Sequence, residues 1–89
     1  MEKNGYLALT FESTHAAMAA QKFLKDKLYH VVMPVPRCIS ASCGIAVRLE
    51  ESERENLLAL LREDFPVDAG SYALYRIDAQ DRAERLSVA

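Results

Sequence analysis

The residues able to do chemistry crowd into one stretch, PVPRCISASCGIAVRL, from Pro34 to Leu49. It holds both cysteines of the chain, Cys38 and Cys43. Arg37 precedes the first, Ser40 and Ser42 lie between them, and Gly44 follows the second. A thiolate is a nucleophile and a sulfur-accepting group, and a nearby cation or a set of N–H donors favours it over the thiol. Arg37 supplies a cation. Ser40 and Ser42 supply hydroxyls that either donate hydrogen bonds or hold the loop's shape. Gly44 lets the backbone pass close to whatever binds. A plainer reading stands beside this one. Free cysteines are among the most buried residues, and one at a strand start often serves as a small apolar filler. The spacing excludes stronger motifs. Four residues separate the cysteines, unlike a thioredoxin-type CxxC. A structural zinc wants about four ligands, and His15 adds at most a third, so no metal site is expected.

Composition narrows the setting. The 89 residues suit one domain with a small core. A hydrophobic fraction of 51% with 27% charged residues is that of a folded, water-facing chain. The net charge of −2 speaks against nucleic acid, which wants a basic patch. No apolar run approaches the roughly 20 residues that span a bilayer, and the start, MEKNGYLALTF, lacks the order of a signal peptide. These features predict a cytoplasmic protein with no membrane partner. Its thiols are then reduced, and a structural disulfide is disfavoured. The glycines are scattered and form no phosphate loop, and no cofactor is expected. Tyr72 and Tyr75 imitate a base-stacking pair on the last strand, but GIAVRL has no aromatic to complete such a platform.

The elements that must position the cysteines follow from periodicity. GYLALTF (Gly5 to Phe11) alternates as a strand, with Leu7, Leu9 and Phe11 on one face. ESTHAAMAAQKFLKDKL then changes period, setting Ala17, Ala20, Leu24 and Leu28 on one helical face. Ser13 or Thr14 is its N-cap, and Lys25 and Lys27 suit the negative end of its dipole. HVVMPVP reads as an edge strand, because Pro34 has no N–H for a ladder. GIAVRL is a third strand. Ser52 and Glu55 make a capping box for SERENLLALLRED, whose Leu57, Leu58, Leu60 and Leu61 form the buried stripe and which Pro66 stops soon after Asp64. SYALYRI is the fourth strand. Residues 78–89 read as a polar, loosely attached C-terminal tail to a single domain of residues 1–77.

The resulting order is βαββαβ. It predicts an α+β ferredoxin-like sandwich with an antiparallel four-stranded sheet of order 4-1-3-2 and two helices on one face. In that arrangement the first helix starts at the same sheet edge as the RCISASC loop. Cys43 is then expected near Ser13, Thr14 and His15, where a helix N-terminus presents unpaired N–H groups. His15 is a first-turn residue facing water or, less simply, a partner of the thiolate.

The pieces PxPRxISxSCG (Pro34, Pro36, Arg37, Ile39, Ser40, Ser42, Cys43, Gly44) and TFxSTxxAM (Thr10, Phe11, Ser13, Thr14, Ala17, Met18) resemble those of a family of small bacterial proteins, the selenium or sulfur carrier-like proteins (DUF3343). The resemblance runs from about Tyr6 to Arg76. It implies one reactive cysteine, Cys43, carrying sulfur or selenium as a persulfide or selenenylsulfide. It also implies a donor or acceptor enzyme as partner, and a carrier or accessory role in selenium metabolism more than a stand-alone enzyme. Cys38 departs from the family pattern. It is either a neutral variation or a resolving thiol. Two other functions stay open: a regulatory module binding a small anion at the same helix terminus, and an accessory subunit pairing through a sheet edge. Either a monomer or a homodimer fits.

Overall fold

The computed structural model describes residues 5–39, 41, 43–63 and 65–87. Strand β1 (Tyr6–Phe11) leads into helix α1 (Thr14–Leu24), then β2 (Val31–Pro34) and β3 (Ile45–Glu50). Helix α2 (Arg54–Glu63) precedes β4 (Tyr72–Ile77) and β5 (Ala83–Leu86). The strands form one antiparallel sheet in the order β2-β3-β1-β4-β5.

Alternation decides what each face of the sheet does. Leu7, Leu9 and Phe11 lie in register with Leu49, Val47 and Leu74 or Tyr72, and all are buried. Ala16, Ala17, Ala20 and Leu24 of α1 and Leu57 and Leu61 of α2 close over them in one core cluster. The small residues of α1 let the helix sit low on the sheet. The large ones, Leu7, Leu9, Leu24, Leu49, Leu57 and Leu74, supply burial of about 1.5–3 kcal/mol each. A ring cluster seals one end: Phe65 meets Phe23 and Tyr72 edge-on, with centroids 5.5 Å and 5.0 Å apart.

The opposite face has no helix. There Ala8, Ala46 and Thr10 are small and buried, and Ile39, from the segment after β2, packs with Ala8. A turn closed by Ile39 N–H to the Pro36 carbonyl (3.0 Å) drives Ile39 into a second cluster with Ala8 and Ile77.

Four expectations need correction. The sheet is not the four-stranded sheet of order 4-1-3-2, because residues 83–86 add a fifth strand outside β4. The reading of 78–89 as a loose tail fails for those residues. Asp78 is the reason. Its carboxylate accepts from the N–H groups of Gln80 (2.8 Å) and Arg82 (2.9 Å), and Asp81 takes a positive φ of 62°, so the chain reverses sharply. The capping box of Ser52 and Glu55 does not open α2. Ser52 lies inside a 3-10 turn, Glu51–Glu53, which enters the helix without a side-chain cap. Finally, α1 stops at Leu24, four residues before Leu28. Lys27 still serves its carboxyl end, donating to the Phe23 carbonyl at 3.3 Å over the Phe23 ring.

Candidate functional site

The start of α1 and the start of β3 meet at one edge of the sheet. Ser13 is extended at the N-cap position, and its hydroxyl accepts from the Ala16 N–H at 3.1 Å. The Ser13 carbonyl accepts from Ala17 N–H at 3.1 Å. Among the described residues, the Thr14 and His15 N–H groups take no partner, so the first turn keeps two free donors. β3 arrives beside β1, and the Cys43 N–H donates to the Phe11 carbonyl at 3.2 Å. That bond sets the Cys43 sulfur 3.8 Å from the Thr14 hydroxyl oxygen.

Topology thus brings Cys43, Ser13 and Thr14 together, 29 residues apart for the sulfur contact. His15 is exposed in the same first turn. The depth of the thiol differs from a cysteine lifted into solvent. Cys43 is only 5% exposed and belongs to the apolar cluster under the helices. Gly44 is exposed, a Cβ there would meet nothing within 4 Å, and its φ is not positive, so the protein's own packing does not require glycine.

Cys38 goes elsewhere. It occupies the exposed turn Pro36–Ile39 with Arg37, while Ile39 points inward. Both cysteines are free thiols. Tyr6 feels three influences. Burial pushes the Tyr6 phenol up, the Arg48 guanidinium 4.3 Å over its ring pulls it down, and the Cys38 sulfur pushes it up again. Tyr6 and Arg48 stand on the helix-free face. Ile39, which follows Cys38, packs on the helix-free face, whereas Cys43 belongs to the helix-face cluster. Arg37 is exposed in the same turn as Cys38, two residues before Ile39 of the helix-free-face cluster. Ser40 and Ser42 lie outside the described residues.

Tyr6 and Arg48 were not singled out from the sequence as neighbours of a cysteine. Parity along β1 and β3 carries that signal once the loop is known to fold onto the helix-free face. Tyr72 and Tyr75 do not form a pair, since they point to opposite faces, and Tyr72 is buried. No three His, Cys, Asp or Glu side chains gather as a metal site among the described residues. No helix among them is long and apolar enough to cross a membrane.

The family model for the putative Se/S carrier protein-like family matches residues 6–68. The chain belongs to this family. The match begins with β1 and ends before β4, so it contains both cysteines and both helices. No curated protein and no solved structure matches the chain.

Proposed function

We propose that this member of the Se/S carrier-like family carries sulfur or selenium on Cys43 and passes it between partner enzymes. The observation that supports this reading is the seat of Cys43 at the start of α1, with the Thr14 hydroxyl 3.8 Å from its sulfur. A persulfide or selenenylsulfide anion at that place gains the hydroxyl and the free N–H groups of the first turn as donors, and bonds to an ionised acceptor are roughly twice as strong as neutral ones. In the loading step the Cys43 thiol gives its proton to solvent. Its thiolate attacks the terminal sulfur of a donor enzyme's persulfide. A new S–S bond forms as the donor's breaks, and the donor departs as a thiolate. Delivery is the same exchange with an acceptor.

Burial adds a condition. A cysteine that is 5% exposed meets a donor only when its cover opens. Carriage in a closed seat would protect the persulfide from water and other thiols between encounters.

The test is incubation with a cysteine desulfurase and cysteine, followed by intact mass measurement and peptide mapping. The expected result is one added sulfur on Cys43, absent in Cys43→Ala. Absence of uptake at Cys43 would overturn the proposal. A second reading rests on Cys38, the exposed thiol of the pair. Sulfur mapped to Cys38 in native protein would establish that reading instead.

A further inference from the structure

The two outer edges of the sheet are unlike. β5 carries Glu84 and Arg85, and charged side chains guard an edge against pairing. β2 has no charged side chain, and its guard is Pro34, at one end of the strand. From Leu28 to Pro36 the sequence LYHVVMPVP holds no acidic residue, lysine or arginine. Val31 is 43% and Val32 46% exposed, and Tyr29 and Met18 are also exposed large apolar residues. Met18 lines a shallow groove with His30, which places it on the β2 side of α1.

The free hydrogen-bonding groups of this edge can be named. Val35 N–H donates to the Gly44 carbonyl at 3.1 Å, and the register continues as Pro34 with Ile45, Met33 with Ala46, Val32 with Val47 and Val31 with Arg48. Antiparallel pairs alternate between bonded and non-bonded positions. Val35, Met33 and Val31 therefore bond inward to β3. The N–H and C=O of Val32 point outward, with the carbonyls of His30 and Pro34; extending the strand by one residue on pairing would turn the His30 N–H outward too.

We propose that this edge pairs with β2 of a second copy of the chain, antiparallel about a two-fold axis through Val32. Such a contact is isologous. Val32 exchanges both its bonds with the partner's Val32. Each His30 N–H reaches the partner's Pro34 carbonyl. The missing proline N–H falls at the end of the ladder. On the helix-free face the register sets Val31 against Met33 and Tyr29 against Val35, an apolar row matched to itself. The α1 helices do not obstruct this. Each packs over β1 and β3. In a ten-stranded sheet they would lie about four strand spacings apart, roughly 19 Å, so Lys22 and Lys25 stay hydrated. The inference concerns the β2 edge and does not rest on the chemistry of Cys43.

The test is sedimentation velocity over a concentration series, in reductant so that exposed Cys38 cannot cross-link. The expected result is a reversible dimer. Val32→Pro removes an outward N–H without touching the β3 ladder, and Val31→Lys places a charge in the apolar row. Each should weaken the dimer about tenfold or more while the urea midpoint holds. If Val32→Pro fails to fold, Val31→Lys decides. In wild type, amide exchange at His30 and Val32 should slow with rising concentration, while that at Val31 and Met33 should not. A monomer at about 1 mM, or a dimer indifferent to the folded variants, would overturn the proposal.

Discussion

Replacing Cys43 with serine should destabilise the protein more than replacing it with alanine. The reasoning starts from the sulfur's surroundings. Cys43 is 5% exposed within an apolar cluster, and among the described residues the Thr14 hydroxyl at 3.8 Å is the polar side chain in contact with its sulfur. That distance suits a weak contact to a large sulfur. A C–O bond is shorter than a C–S bond, so a serine oxygen would recede from Thr14 beyond hydrogen-bond reach. The variant then holds a hydroxyl in the core without a partner, at a cost of about 1–3 kcal/mol. Alanine removes the sulfur without burying a new polar group, and its cost should stay near 1 kcal/mol, about one methylene's burial. Cys38→Ser, on an exposed turn, should fall within about 0.5 kcal/mol of wild type. Urea unfolding with a shared m-value measures all three. For a domain of this size a loss of about 2 kcal/mol lowers the melting temperature by about 8 °C or more. A Cys43→Ser protein as stable as wild type would refute the buried seat, and with it the need for its cover to open during loading. The result also decides how carriage should be tested. Serine is the usual replacement for a reactive thiol, but here it would confound lost chemistry with lost fold. Alanine is the better control.

Two further outcomes follow from single contacts. Gly5→Ala should lose about 1–3 kcal/mol in urea unfolding, because a Cβ there would overlap the backbone carbonyl of Ile77, whereas Gly44→Ala should be close to neutral for folding. Glu51→Gln should cost stability at pH 7 and cost nothing in strong acid. The hydrogen bond from Arg76 at 2.5 Å holds the Glu51 carboxyl below its ordinary value of 4.5. Its contribution is therefore present above that value and lost as pH falls through the lower folded one. Thermal melts of both proteins from pH 7 downward should converge, and curves that stay parallel would remove the pair from the balance.

Much of this arrangement is written in local pattern. A period of two marks β1, β3 and β4, and a period of 3.6 marks α1 and α2, because each face must sort apolar from polar side chains wherever the chain runs. Pro34 marks β2 as an edge, since a proline cannot donate to a second neighbour. Ser13 marks the start of α1. From the order of these elements alone, Cys43 must come to the first turn of α1. What tertiary structure decided was depth and side. Cys43 is buried because its N–H bonds to Phe11 and the small alanines of α1 let the helix settle over it, a contact between segments distant in sequence. Cys38 is exposed, while Ile39, which follows it, packs with Ala8 on the helix-free face. β5 had the weakest local signal. Of AERL, only Ala83 and Leu86 are even half-buried, so its pattern is that of a solvated segment. It becomes a strand because Asp78 reverses the chain beside β4, whose free edge supplies the hydrogen bonds that the segment's own side chains do not demand.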